Sequence, residues 1–545
     1  MEASHLSQAN HDGPSICCAR FEKPLLALGI GAFLLLVYLQ WPLTWDDSGI
    51  LLAFSRNLAK YGDLVPAQYS DRVEGYSSFL WMILNYCFFT LGCSAEQVLR
   101  IAKATTTSLA VVNILLFVAI LRSELRDARH RLLAAALFAA SMPTIVSAVD
   151  GMETALYCTL VMLAYVSYRK RQEHRAGYWA FLIASTLVIL VRHEGPLFLL
   201  PFLIFEAYHL RWRIFARPHC YVWAAVFLAY HTWHYAYFGR LLTNPIVAKL
   251  NPIYRHPSDP VSLLWLYQKP LAELGFRYIG LIVPAFAGYM LSRRSPAAGA
   301  KSRGPSLAAC FAMIMLLVYL LVADTAGAAH RLAYPALPLA LLVVFRFLDR
   351  RSGGTRPRLY FASLLLCLIL FAAETLGPYA WRLGMVGVEL RHVEKAGKSV
   401  AKLQQLLDLD RLTYAGPDMG GVLLFHGDNK RVLDLALLCD PYLAKHGYSA
   451  VGDYLLKRER PHIIETHGVW AHHTGLFDND QFYASYTPVV MKGGEYTEYA
   501  LFLRNDQLDK LKATQKLKFI PLQYPEKLKY HATCYRYGGF YELAP

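Results

Sequence analysis

The sequence predicts a polytopic α-helical membrane protein with a C-terminal domain of mixed α/β type. Three features point there. The 545 residues are 55% hydrophobic, with a mean hydropathy of +0.28, too apolar for the soluble domains that such a length would otherwise suggest. Apolar stretches that approach the roughly 30 Å depth of a hydrocarbon core recur along the chain. Short basic blocks alternate with them, as membrane topology demands.

The first stretch, Pro24 to Leu43, carries no charge, and no small-residue cleavage site follows it. It reads as a retained anchor behind a cytoplasmic N-terminus, residues 1–23. Further apolar segments fall near 100–121, 132–149, 154–168, 177–192, 196–210, 221–238, 275–292, 305–323, 332–349 and 359–378, giving about eleven crossings. The basic blocks RSELRDARHR (122–131), YRKRQEHR (168–175), HLRWRIFARP (209–218), SRRSPAAGAKSRG (292–304) and RFLDRRSGGTRPR (346–358) mark the cytoplasmic side. The membrane domain is thus expected over 24–379, and the tail from 380 to 545 outside.

SSFLWMILNYCFFTLG (77–92) tests this scheme. It is shorter than the roughly 20 residues of a crossing, and counting it would turn most downstream basic blocks outward. It is expected to lie at the outer interface, inside a first extracytoplasmic loop, 44–99. A second helix there, about Ser48 to Lys60, sets Ile50, Leu51, Phe54 and Leu58 at helical spacing, suited to rest on lipid or on other spans. The tail alternates short apolar runs with Gly and Asp/Asn turns in LTYAGPDMGGVLLFHGDNKRVLDLALLCD (412–440), hence its α/β reading. Its GPDMGG has neither the spacing nor the following Lys-Ser/Thr of a phosphate-cradling loop.

The net charge of +15 lies in the loop blocks, which argues against a nucleic-acid partner. The ten cysteines show no metal-binding spacing. Cys439 and Cys534 alone fall in the polar tail, where an extracytoplasmic location would permit a disulfide.

The loops poor in Lys and Arg hold Asp46, Asp47, Arg72 and Glu74; Asp150 and Glu153; Arg192, His193 and Glu194; Arg240, Asn244 and Lys249; Asp324, His330 and Arg331. Ionisable groups gathered at the outer ends of many spans are what a site at the membrane surface requires, although outer loops are polar for solubility alone.

In order and spacing, WDDSGILLAFSRNLAKYGDLVPAQYSDRVEGYSSFLW (45–81), DGMETALY (150–157), VRHEGPLFLLP (191–201), YFGRLLTNPIVAK (237–249) and AHRLAYPALPLA (329–340) resemble the terminal arabinofuranosyltransferases of the mycobacterial cell wall. These belong to the GT-C class of polyprenyl-phosphate-sugar-dependent glycosyltransferases. The likeness runs across about 24–440. ADTAGAAHR (323–331) lacks the Gly and aromatic residues of the family's acidic stretch, and the chain beyond 440 departs further.

The resemblance implies an inner-membrane enzyme that inverts configuration as it moves a sugar, arabinofuranose in the first instance, from a polyprenyl-phosphate donor to an extracytoplasmic glycan. An acceptor hydroxyl needs a base, and a carboxylate at the watery rim stays ionised better than one in the bilayer. Asp46 and Asp47 are the candidates, with Asp46 the first choice; a polar cap on a span end is the plainer account. The departing phosphate needs cations, for which Arg192, His193, Lys249 and Arg331 stand at span ends, where snorkelling would equally place them. Glu74, Tyr76, Glu194, Asn244 and Asp324 are candidate sugar or acceptor ligands. Glu74 could instead be a helix-start acid, and Glu153 reads as structural. No cofactor is required by the sequence; Asp46, Asp47 and Asp324 together would suit Mg, Ca or Mn.

Competing readings are a hexose donor, a protein acceptor such as pilin or flagellin, a polyprenyl-lipid transporter, and a membrane-anchored receptor. Transporters tend to use broken helices in repeated halves, and neither shows in the sequence.

Overall fold

The computed structural model describes residues 13–171, 174–250, 307–308, 310–311, 334–351, 389–491, 501–513, 517–521 and 537–543. The expected crossings 275–292 and 359–378, most of 305–323 and the basic block 292–304 lie outside them. The chain forms two compact units. One gathers Met1–Leu43, Lys103–Phe227 and Ser262–Val386; the other gathers Thr44–Ala102, Leu228–Val261 and Gly387–Pro545. The first outer loop therefore belongs with the C-terminal residues, not with the helices that flank it in sequence.

The helical unit begins with α1 (Gly13–Gln40). Its exposed face is itself apolar, with Leu28 70%, Leu35 59% and Leu39 60% exposed, while Phe33 and Val37 on the other face are buried. That is the pattern of a helix between lipid and protein. Among the described residues two helices are long and apolar enough to cross a membrane, Glu22–Gln40 within α1 and Ala95–Glu124, which is α4. The expected crossing at 132–149 is broken into α5 (Ala128–Ala140) and α6 (Met142–Val149), bent by 50°, and makes a third only when the pair is counted as one span. Ser141 ends α5 and caps α6, and Pro143 sits in the first turn of α6, where its missing N–H is harmless. A broken helix thus exists where the sequence showed none. Its hydroxyls are satisfied locally, since Ser141 Oγ and Thr144 Oγ1 both donate to the Phe138 carbonyl at 2.8 and 2.7 Å.

The basic blocks explain themselves at one end of this bundle. Arg122 and Arg131 pair with Glu22 at 2.8 and 2.7 Å. Asp349, on α12 (Leu337–Arg351), accepts from the Arg126 and Asp127 amides at 3.0 Å and meets His130 at 3.1 Å. Glu124 holds both Arg169 and Arg346. Glu206 on α9 (Leu200–Leu210) takes Arg171 at 2.9 Å and His219 at 3.1 Å. Three blocks, 122–131, 168–175 and 346–358, read from sequence as sharing one side, are tied through shared carboxylates, and Glu206 and His219 flank a fourth, 209–218.

The second unit is built on a seven-stranded mixed sheet of order β2-β1-β3-β5-β4-β7-β6. Strands β1 (Leu412–Gly416), β2 (Lys430–Asp434) and β3 (Ile463–Glu465) are mutually parallel, with β1 in the middle. The chain leaves β1 to one side to make β2, then crosses to the other side to make β3. The remaining strands, β4 (Tyr486–Met491), β5 (Leu501–Arg504), β6 (Leu517–Pro521) and β7 (Gly539–Leu543), extend the sheet beyond β3 with mixed polarity. Its core includes Leu433, Leu443, Leu455, Phe482, Tyr486 and Phe502, each at most 4% exposed.

The outer-loop helix α2 (Asp46–Tyr61) ends at Gly62, whose φ of 71° is the left-handed conformation a helix stop uses. Its apolar face is spent within this unit, with Ile50, Leu51 and Phe54 all at most 6% exposed. That face packs on α13 (Leu390–Leu406), on α14 (Gly420–His426) and on α3 (Phe79–Thr90). Lipid is not what buries it. Helix α3, the tested stretch, is 12 residues and so about 18 Å long, short of a crossing. A bridge between Trp45 and Glu389, with the Leu390 amide donating to the Thr44 carbonyl at 2.9 Å, joins the entries of α2 and α13.

Candidate functional site

Asp46 and Asp47 open α2, where carboxylates suit the positive end of the helix. They also meet α14. The Gly420 amide donates to Asp46 Oδ2 and the Gly421 amide to Asp46 Oδ1, each at 2.8 Å. Both Asp46 oxygens therefore rest on the first amides of another helix, and the residue is only 6% exposed. Glycine is required on the α14 side. A Cβ on Gly420 would sit 1.8 Å from the Asp46 carbonyl oxygen, and one on Gly421 2.4 Å from the Glu394 amide nitrogen. Gly49 makes the reciprocal fit, its missing Cβ facing the Gly420 carbonyl at 2.6 Å. Burial and the neighbouring Asp418 push the Asp46 carboxyl well above its usual range, against the two amides, and Asp47 adds to the push. Asp47 itself is half-buried.

Asp418 stands in the GPDMGG turn that leaves β1. Beside it, at the end of β3, are Glu465 and His467. His467 Nε2 lies 2.9 Å from Asp418 Oδ2, as an ion pair rather than an aligned hydrogen bond, and Nδ1 lies 2.9 Å from Glu465 Oε1. Tyr414 Oη donates to the other Glu465 oxygen. Burial alone would strip the imidazole of its proton, but Asp418 and Glu465 outweigh it and lift His467 to about 10. The ring is thus a cation at neutral pH, held between two acids. Burial also raises Asp418, the imidazolium lowers it, and Glu465 and Asp47 raise it again, for a net upward shift.

None of Asp418, Glu465, His467 or Tyr414 was singled out from the sequence. GPDMGG was tested there only as a phosphate loop, yet an acid two residues before paired glycines at a strand-to-helix turn was a signal on its own.

The other expected ligands of this unit are set deeper. Glu74 is 1% exposed; Tyr230 Oη donates to its Oε1 at 2.8 Å, and His234 Nε2 lies 2.5 Å from its Oε2. Tyr76, also 1% exposed, packs edge-on against Phe54 at 5.0 Å. The Asn244 amide nitrogen faces the carbonyls of Leu437, Leu438 and Asp440 at 3.0, 2.9 and 3.2 Å, so it braces that turn. Cys439 in the same turn is buried, and Cys534, its suggested partner, lies outside the described residues. Lys249 is the penultimate residue of α11 (Asn244–Leu250). Arg331 and Asp324 lie outside the described residues.

In the helical unit Arg192 follows α8 (Arg175–Val191) and is 7% exposed. Its Nη1 donates to Glu153 and its Nε to Glu194. Glu153, expected as a turn acid at a helix start, is here the partner of Arg192, and His193 beside the trio is half-buried. Lys103, near the start of α4, was not anticipated: it is 4% exposed and donates to the Leu43 carbonyl at 2.9 Å. Among the described residues no group of three or more His, Cys, Asp and Glu side chains is arranged to hold a metal ion.

No protein-family model and no curated protein sequence matches the chain. Solved structures do. ArnT from Cupriavidus metallidurans in the apo state aligns over 81% of this chain and 93% of its own, at 15% identity and a TM-score of 0.48. AftD, an arabinofuranosyltransferase from Mycobacteria, aligns over 91% of this chain and 38% of its own, at 14% identity and a TM-score of 0.43. The archaeal oligosaccharyltransferase AglB from Archaeoglobus fulgidus, in complex with an inhibitory peptide and a dolichol-phosphate, aligns over 82% and 69%, at 11% identity and a TM-score of 0.51. Identity this low speaks for architecture alone, and the architecture is that of the GT-C polytopic membrane proteins.

Proposed function

We propose that this chain is an inverting glycosyltransferase that passes a sugar, arabinofuranose in the first instance, from a polyprenyl phosphate to a hydroxyl of an extracytoplasmic envelope glycan. The observation that carries the reading is the docking of Asp46. With both its oxygens on the Gly420 and Gly421 amides, Asp46 is the fastening of the pair and Asp47 the base. The AglB complex with dolichol-phosphate supports a polyprenyl-linked donor on this fold. The motifs at 45–81 and 237–249 support the pentose.

The step balances without further reagents. Asp47 takes the acceptor hydroxyl proton while the hydroxyl oxygen bonds to the anomeric carbon. The bond from that carbon to the phosphate oxygen breaks, and its electron pair leaves with the polyprenyl phosphate. That leaving group is already anionic, so cations serve it better than an acid. His193, Lys249 and Arg331 are proposed to meet it. Arg192, already clamped by Glu153 and Glu194, is proposed to stiffen the segment that presents His193.

The test is transfer by purified full-length protein in nanodiscs, given undecaprenyl-phosphoryl arabinofuranose or hexose with glycan or peptide acceptors. Arabinose transfer lost in Asp47→Asn supports the reading. Hexose transfer, or transfer to peptide, would replace the substrates but keep the class. Full activity in Asp47→Asn would overturn the base assignment, and facilitated movement of the lipid without transfer would favour a transporter.

A further inference from the structure

The parallel half of the sheet has an unusual tenant. In an open α/β sheet the crevice for a ligand forms beyond the carboxyl ends of the strands, where successive connections depart to opposite sides. Here that point lies between β1 and β3, because the chain goes from β1 to β2 on one side and then to β3 on the other. At these two strand ends stand Asp418, two residues after β1, Glu465, the last residue of β3, and His467, two residues beyond it. Into the same place the outer loop delivers its acid pair, Asp46 being bonded to Gly420 and Gly421, two and three residues beyond Asp418. A crevice that elsewhere takes a small ligand has the transferase loop as one wall.

We propose that the C-terminal domain supplies Asp418 to the acceptor side of the transfer site, as a second carboxylate beside Asp47, held in place by His467 and Glu465. The ligand class is a glycan end that presents neighbouring hydroxyls: one surrenders its proton to Asp47, and the other donates a hydrogen bond to Asp418. Three observations support it. Asp418 Oδ2 is buried against the His467 ring, 2.9 Å from Nε2, so this oxygen is fixed in place and its charge is balanced. Asp418 keeps 12% of its side-chain surface exposed, whereas Glu465, with one oxygen on His467 and the other on Tyr414, keeps 1%. Glu465 is the buried anchor of the chain of charges and Asp418 its open end. The imidazolium also spares the site an uncompensated acidic cluster, so Asp418 stays usable as an anion so close to Asp47.

This inference rests on the transferase reading, and the experiment separates the two. Binding of an arabinofuranosyl-terminated oligosaccharide to the full-length protein is measured directly, without turnover, alongside binding of undecaprenyl phosphate. Asp418→Asn is expected to weaken oligosaccharide binding about 10- to 100-fold, the range for one hydrogen bond to a charged group, and to leave undecaprenyl phosphate binding unchanged. Where transfer is measurable, the acceptor KM should rise while kcat at saturation changes little, and His467→Gln, a positioning variant, should show the same split. If Asp418→Asn lowers the thermal midpoint, Asp418→Glu is the second variant; binding regained with Glu but not with Asn supports the assignment. Unaltered oligosaccharide affinity in Asp418→Asn, equal loss in both variants, or equal weakening of both ligands would overturn it. A dead Asp47→Asn enzyme with a normal Asp418→Asn would remove this inference and leave the transferase standing. Absence of oligosaccharide binding in the wild type would remove it as well, whatever donor the enzyme proves to use.

Discussion

The basic end of the helical unit and the acid-pair region of the sheet-bearing unit bury charge differently. In the helical unit each buried carboxylate at the basic end is matched by two cationic or amide partners: Glu22 by Arg122 and Arg131, Glu206 by Arg171 and His219, Glu124 by Arg169 and Arg346. Around the acid pair of the sheet-bearing unit, acids also crowd acids. Asp46, Asp418 and Asp434 are all raised above their usual range, burial being the largest cause in each and a neighbouring carboxylate adding to it. Matched charge at a helix end fixes the packing and orientation of a bundle. Crowded like charge costs stability and persists where chemistry uses it.

That contrast can be broken by mutation. The largest effect is expected at Asp47. Asp47→Asn should lower kcat by about 100-fold or more, the usual worth of a general base, with the thermal midpoint in detergent nearly unmoved. A residual rate within a few fold of wild type would end the distinction between the units. Glu206→Gln should do the reverse, costing about 3–5 kcal/mol of stability by stranding Arg171 and His219, while the surviving folded protein turns over normally. Thermal unfolding paired with active-site titration reads both numbers; a stable but inactive Glu206→Gln would assign catalysis to the wrong unit.

Gly420→Ala is the next step down. Its Cβ would fall 1.8 Å from the Asp46 carbonyl oxygen, so α2 or α14 must shift, at about 1–3 kcal/mol of overpacking. Activity should fall with stability, because the acid pair moves too. An Ala variant with wild-type melting and rate would mean that the close approach is not kept in solution.

The smallest effect is the pH profile. His467 is raised to about 10 from 6.5, so the stability it contributes is complete below about 6.5 and is lost as pH climbs through 10. Asp434, raised by burial to about 7 from 3.8, acts with the same sign: its contribution is complete below about 3.8 and fades as pH rises through 7. The midpoint should therefore fall steadily from pH 6 to pH 9, less so in His467→Gln. A midpoint that rose over that interval would contradict both assignments.

Some of this could be read from sequence. Helix α2 was expected at about Ser48 to Lys60 and runs Asp46–Tyr61, because its apolar spacing and Gly62 mark its limits. Its partner could not be read. Periodicity says that a face is buried, not against what, and neither lipid nor another span was the answer, because the covering residues, Leu390 and Gly420, come hundreds of positions later. The break at Ser141 was missed because apolar length alone does not register a capping serine followed by proline. Asp418 and His467 were invisible for a related reason: each is an ordinary polar residue until β1 and β3 lie parallel and bring their ends together. Arg192 was legible as a charged residue at a helix end, but Glu153, which it grips, was read only as a turn acid.

The bond between Asp46 and Gly420 spans 374 positions. During synthesis the acids emerge early, and their fastening emerges only after the membrane helices between them. The order of translation is therefore an order of arming: the loop is delivered first and locked last. A chain stopped anywhere before Gly420 would carry both acids without the two amides that hold Asp46.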